Sequence, residues 1–410
     1  MVSESHEIVL KLHEMEERPA KRGVQTSVTF LLVILVAIAT ILRWINVSSL
    51  AGSFQKRILL LGTSQKYSSE FDCSLKCSDI SPLTNIITDN NAPSESCPEY
   101  FKWIHEDLRP WKVTGITKEM VEKAIEKADF NIVIVNGSVY IKKFKEAFQT
   151  RDTVTIWGIL QLLRLYPGKL PDMDFMFACG DKPVIEKCDY GQSNASYPPP
   201  PMFHYCGDDS SFDIVFPDWS FWGWPELNIK PWETLKEDLQ EGNSRIKWSE
   251  REPYAYWKGN AKVSPGRHDL LKCNGSEWNT RIDKVAQEIG KTGSKYIQEQ
   301  LRMKYIYDYM FHLLNEYSKL LKYKPAVPKG AVEVCSETMV CSVEGLKKKL
   351  RIDSMVKGPA DSSPCTLPSS HYRAELEDFL EMKDNLTKQV KMLEEGESLG
   401  NATMKTQGSA

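Results

Sequence analysis

The chain has 410 residues, enough for two or three domains. A net charge of −3 gives no basic footprint, which excludes nucleic acid as a partner on electrostatic grounds. A hydrophobic content of 41% is ordinary for a globular protein.

Residues 1–22 are polar and read as a cytosolic tail. Residues 23–42, GVQTSVTFLLVILVAIATIL, carry no charge. At ~1.5 Å per residue this run spans about 30 Å, the hydrocarbon thickness of a bilayer. Arg18, Lys21 and Arg22 precede it and Arg43 follows. That positive excess predicts a signal anchor with a cytosolic N-terminus and a lumenal remainder, the alternative being a cleaved signal peptide, whose apolar region is ordinarily shorter, ~7–15 residues. Residues 43–96, rich in Ser, Thr and Asn, read as a stem.

From residue 97 the pattern becomes that of a folded domain. Thr117 is the expected cap of a helix over 118–130. A strand and turn follow over 131–141, then a helix over 153–166. A strand over 174–179 ends in a loop carrying Gly180 and Asp181. Further on come a strand over 212–216, a helix over 231–239 and a strand over 254–258. A helix opened by Ser264 and Pro265 runs to 272. Alternating strand and helix argue an α/β lobe over 97–281 with a largely parallel sheet. The segment 282–345 reads as helix without a strand candidate. A long helix over 294–321 carries an apolar stripe of Ile297, Leu301, Ile306, Tyr309 and Leu313. Residues 346–410 form a polar tail with a weak heptad at Leu376, Leu380, Leu386, Val390 and Leu393, readable as a coiled coil or a solvated helix.

Ten cysteines in a lumenal chain predict disulfides, with Cys335 and Cys341 as the expected local pair. Their spacings form no paired zinc knuckles. Asn46, Asn136, Asn194, Asn274, Asn385 and Asn401 each begin a glycosylation triplet, all on one side of the apolar span. Asn136 lies in an apolar run and is expected to be buried.

Four constellations are candidates for chemistry. Asp181 lies just past a strand end, where open α/β sheets bind ligands, and reads either as a general base or as a loop carboxylate capping a turn. Asp172 and Asp174 form a DxD triplet of the kind that holds a divalent cation, a weak pattern. The helix opened by Ser264 offers free N–H groups, and Arg267 adds a guanidinium, which is either a diphosphate site or an ordinary capped helix. Trp219, Phe221, Trp222 and Trp224 make either core packing or a platform for a sugar ring.

Taken together, five blocks carry a family resemblance: CPEYF at 97–101, EDLRPW at 106–111, LPDMDFMFACGD at 170–181, FPDWSFWGWPE at 216–226, and YWKGN with SPGRHDLLKCN over 256–274. They resemble the Rumi-like protein O-glucosyltransferases of glycosyltransferase family 90, closest to a plant-type, membrane-anchored branch. The helix QEQLRMKYIYDYMFHLLNEYSKLLKY at 298–323 is similar to the family's C-terminal helix. The resemblance covers about residues 97–341. It implies two facing Rossmann-like lobes of GT-B type and inverting transfer of a glucose- or xylose-type sugar from a UDP-sugar, without metal or cofactor. It implies Asp181 as the base, Ser264 and Arg267 beside the donor diphosphate, and Asp107, Trp219, Trp222 and Trp224 toward a protein or glycan acceptor. A membrane-anchored, lumenal enzyme of the Golgi rather than the endoplasmic reticulum is the corresponding location.

The chain departs from the family after residue 282. It runs directly into DKVAQEIGKTGSKYIQEQ, similar to the family's terminal helices, where most of a second lobe is expected. Residues 282–345 then read as a helical remnant of the donor lobe, with its apolar stripe left without a packing surface. The alternative reading is a non-catalytic, membrane-anchored protein that binds carbohydrate or protein.

Overall fold

Asn136 and Gly137 both adopt positive φ, 51° and 78°. That pair of left-handed residues makes a two-residue turn of the type that matches strand twist. It folds β1 (Phe130–Val135) back onto β2 (Ser138–Lys143), with Val135 opposite Ser138 and Phe130 opposite Lys143. The computed structural model describes residues 73–74, 76–77, 95–190, 198–251 and 284–407.

The hairpin corrects the expected largely parallel sheet. Six strands lie in the order β5-β4-β3-β1-β2-β6. β3 (Met173–Phe177) pairs antiparallel with β1, and β6 (Val332–Val334) pairs antiparallel with β2. Only β4 (Phe203–His204) and β5 (Ile214–Val215) continue from β3 in parallel. A two-residue loop can only join antiparallel neighbours, so the sheet is mixed. β6 also corrects the reading of 282–345 as strandless. It is three residues long and half exposed, too short to show a period.

Around the sheet stand α1 (Trp103–Asp107), α2 (Lys118–Lys123), α3 (Arg151–Leu165), the short α4 (Lys187–Tyr190) and α5 (Trp232–Arg245). Thr117 caps α2 as expected, its hydroxyl accepting from the Met120 N–H at 3.4 Å. Most of α3 is buried, from Arg151 to Leu162, and it forms the central helix of the lobe. Gly158 on α3 lies flat beneath Trp222, so that a methyl group there would meet the indole at 2.6 Å.

The long helix expected over 294–321 is two helices, α6 (Lys284–Gln300) and α7 (Met303–Leu320). Arg302 is extended between them, and the Leu301 carbonyl accepts from the Trp232 indole N–H instead of continuing the helix. α7 does not lack a packing surface. Tyr305, Ile306, Tyr307, Met310, Leu313, Leu314 and Tyr317 are all buried. Tyr317 packs edge-on against Phe175 of β3 and Phe203 of β4. The helix therefore closes the α/β lobe itself. Asp308, fully buried on α7, accepts from the Tyr166 hydroxyl, from Lys304 Nζ at 2.7 Å and from the Cys365 N–H at 3.1 Å.

The chain ends with α8 (Ser336–Cys341), α9 (Gly345–Asp353) and α10 (Arg373–Gln407). Disulfides join Cys73 to Cys341, Cys77 to Cys335 and Cys97 to Cys365. The expected Cys335–Cys341 pair is thereby corrected. The two residues stand at opposite ends of α8, six residues apart, or about 9 Å along a helix, beyond disulfide reach. Asn136 is exposed at the hairpin tip rather than buried. Among the described residues no helix is long and apolar enough to cross a membrane, and residues 23–42 lie outside them.

Removing one partner from a buried charged network leaves the others unpaired. We expect Asp308→Ala to cost about 3–5 kcal/mol of unfolding free energy in urea titration. A loss below about 1 kcal/mol would show that the network is not what holds α7.

Candidate active site

β3 ends at Phe177, and the chain turns through Cys179, Gly180 and Asp181. Asp129 fixes the turn, its carboxylate accepting from the Cys179 N–H at 2.6 Å. Gly180 passes close to His204, and a Cβ there would lie 3.6 Å from His204 Nε2. Asp181 is exposed. Its Oδ1 accepts from Arg151 Nη1 at 2.7 Å, and no bond to Oδ2 occurs among the described residues.

Arg151 is the first residue of α3 and is itself buried, with 6% of its side chain exposed against 80% for Asp181. Its Nη1 also donates to the Cys179 carbonyl at 2.9 Å. The guanidinium lies 4.4 Å from the Trp219 ring and 5.1 Å from the Phe148 ring. Trp219 in turn meets Tyr205 at 4.6 Å and Trp224 at 5.2 Å, both edge-on. Trp224 is held by its indole N–H, which donates to Gln149 Oε1 at 2.9 Å. The loop thus brings Asp181, Trp219 and Trp224 together around Arg151. Trp222 stands apart from them. It is buried over Gly158, donates to the Tyr307 hydroxyl at 2.9 Å, and faces the core.

Beside this group lies an open cleft of about 1430 Å³, lined by Trp103, Asp107, Tyr205, Asp218, Phe221 and Tyr309 among others. Tyr205 belongs to both, since it lines the cleft and packs on Trp219. Asp181 is not part of the cleft lining. α10 supplies one wall through Leu376, Phe379, Leu380 and Lys383. Phe379 packs on Trp103 at 5.8 Å, and Lys383 pairs with Asp209 at 2.7 Å.

Asp107 is one of the perturbed acids of the cleft. Burial pushes its carboxyl up to about 7, against the opposing effect of the Val215 N–H that Oδ2 accepts at 3.3 Å. A carboxyl near neutrality exchanges protons readily at physiological pH. Burial likewise pulls His204 down and raises Asp213, whose carboxylate accepts from the Val184 and Ile185 N–H groups.

The DxD pair is engaged elsewhere. Asp172 Oδ1 accepts from the Asn136 N–H at 2.8 Å. Asp174 accepts from Asn131 at 2.7 Å and from the Tyr323 hydroxyl at 3.0 Å. Cys97, His312 and Cys365 converge within 4.8 Å, but the two sulfurs are joined to each other. Ser264 and Arg267 lie outside the described residues. Sequence reasoning missed Arg151 and Tyr205. The available signal for Arg151 was a cation in the first helical turn, where the helix dipole disfavours it.

Comparison with known proteins places these features. The profile of Glycosyl transferase family 90 matches residues 92–283 and 275–394, well over half of the chain. Protein O-glucosyltransferase 1 of Homo sapiens is 24% identical over 235 residues, covering 53% of this chain and 56% of the relative. O-glucosyltransferase rumi of Drosophila melanogaster is 25% identical over 189 residues, covering 44% of this chain and 42% of the relative. The chain spans about half the length of these curated relatives.

Asp107 predicts a pH dependence of stability. Its folded carboxyl titrates near 7, above the unfolded value of about 3.9. The folded state therefore binds the proton more tightly, and this contribution is complete below about pH 4 and lost as pH rises through about 7. Melting temperature should fall across that window more steeply in the natural chain than in Asp107→Asn. Parallel curves would show that Asp107 titrates normally.

Proposed function

The chain belongs to glycosyl transferase family 90, and on that footing we propose that it transfers a glucose- or xylose-type sugar from a UDP-sugar to a hydroxyl of a protein or glycan acceptor, with inversion. The observation that carries this reading is Asp181, exposed past the end of β3 with one carboxylate oxygen tied and the other unbonded among the described residues. In the proposed step the acceptor oxygen bonds to the anomeric carbon as the bond from that carbon to the diphosphate oxygen breaks. The hydroxyl proton passes to Asp181 Oδ2, and UDP leaves with the electron pair of the broken bond. A single displacement of this kind inverts the anomeric centre. It needs the donor, the acceptor and the base in line.

Trp219, Trp224 and Asp107 serve the acceptor side in this reading. Ser264 and Arg267 serve the donor diphosphate, using helix N–H groups and a guanidinium. No cofactor enters. The relatives' names, O-glucosyltransferases all, support the reaction class. Three disulfides suit an oxidising compartment, in keeping with a type II anchor at 23–42 and a lumenal, Golgi-sited lobe.

A second reading is favoured by one fact, the coverage of only about half of each relative. With a shortened donor lobe, the chain is a membrane-anchored binding protein that keeps the Asp107 cleft.

Two measurements separate these. A saturable rise in melting temperature with UDP is expected under the first reading, by mass-action linkage. Asp181→Asn should then lower sugar transfer on the order of 100-fold or more with an unchanged melt. Binding of acceptor glycosides with no response to UDP would establish the second reading instead.

A further inference from the structure

The pair Arg151–Asp181 is lopsided in a way that a stabilising ion pair is not. The cation is buried and the anion is almost fully exposed, at 6% and 80% of their side chains. Burying a guanidinium is costly, and a surface carboxylate returns little of that cost through solvent-screened attraction. The cation also starts a helix, the end where the helix dipole opposes positive charge. Its Nε is buried without a hydrogen-bond partner among the described residues. Every one of these features argues against selection for stability alone.

What the arrangement does achieve is rigidity. Trp219 and Phe148 hold the guanidinium by cation–π contact at 4.4 and 5.1 Å. The Cys179 carbonyl takes the same Nη1 that reaches Asp181. The Arg151 backbone is fixed as well, its carbonyl accepting from Thr155 Oγ1 at 2.8 Å and from the Tyr205 hydroxyl at 3.2 Å. Asp181, by contrast, sits on a loop beside Gly180, and its side chain has no other anchor among the described residues.

We infer that Arg151 is a positioning residue for the sugar-transfer step: held by the Trp219–Phe148 clamp, it ties Asp181 Oδ1 and so presents Oδ2 to the acceptor hydroxyl. The inference rests on the reading of Asp181 as the base. It also assigns the Trp219 ring a role in gripping Arg151, distinct from stacking on a sugar.

The test uses the full lumenal chain with UDP-glucose or UDP-xylose and p-nitrophenyl β-glycosides as acceptor probes, reading UDP release. Arg151→Met should lower kcat on the order of 100-fold, with acceptor KM within about threefold, since a misaligned base loses rate rather than affinity. Arg151→Lys should recover part of the rate, and added guanidinium should partly rescue Arg151→Ala. In an Asp181→Asn background, Arg151→Met should cause no further loss, because it acts through a group already disabled. The same fractional loss in both backgrounds would overturn the inference, as would an Arg151→Met rate within about threefold of the natural chain. If Arg151→Met fails to melt cooperatively, Arg151→Lys carries the comparison. If the natural chain releases no UDP above a blank, the sugar-transfer reading fails and this inference with it. An active natural chain with an indifferent Arg151 sinks the inference alone.

Discussion

A single carboxylate joins three separate stretches of chain at the centre of this lobe. Asp308 on α7 gathers the Tyr166 hydroxyl from the end of α3, Lys304 from its own helix and the Cys365 N–H from a segment far along the sequence. A buried carboxylate is tolerable only when it is this fully satisfied. Once it is, α7 has a fixed seat, and its remaining contacts follow. Tyr317 donates to the Asp174 carbonyl, and Tyr323, just past α7, donates to the Asp174 carboxylate. Asp174 belongs to β3, whose far end launches the loop with Asp181. Hub and site are thus connected through α7, two part-buried tyrosine hydrogen bonds to Asp174, and the length of β3.

The site divides its labour between two environments. Around Arg151 the aromatic rings are packed on one another and leave Asp181 at the surface. In the cleft the rings of Trp103, Phe221 and Phe379 line the wall, and Asp107 is a partly buried acid beside them. The two carboxyl groups thus stand in unlike surroundings, Asp181 at the surface and Asp107 within the cleft. Tyr205 is the partition between them, fixed by bonds to Thr155 and to the Arg151 carbonyl.

Much of this was legible along the chain where local rules apply. The Thr117 cap, the helix through Ile156 and Leu162, the strand through Phe175 and the loop with Asp181 all stand where pattern and capping put them. The aromatic run was visible too, but not its division, because Trp219 and Trp222 are both buried and differ in what they touch, Arg151 in one case and Gly158, sixty-odd residues earlier, in the other. The antiparallel hairpin was written in Asn136 and Gly137 and was overridden by the rhythm of alternating strand and helix. Disulfide partners and the seat of α7 depend on pairings more than a hundred residues apart, which no local period encodes. Ser264 and Arg267 remain a matter of sequence, since they fall outside the described residues.

The three disulfides have a consequence for the integrity of the molecule. Each closes a loop of more than 250 residues, and the loops overlap almost completely. A protease that severs the backbone anywhere between Cys97 and Cys335 cuts inside all three at once. The fragments on either side would stay covalently joined, so a molecule nicked once would migrate intact until its disulfides were reduced. A chain cut once in that span would still be retained as one covalent particle.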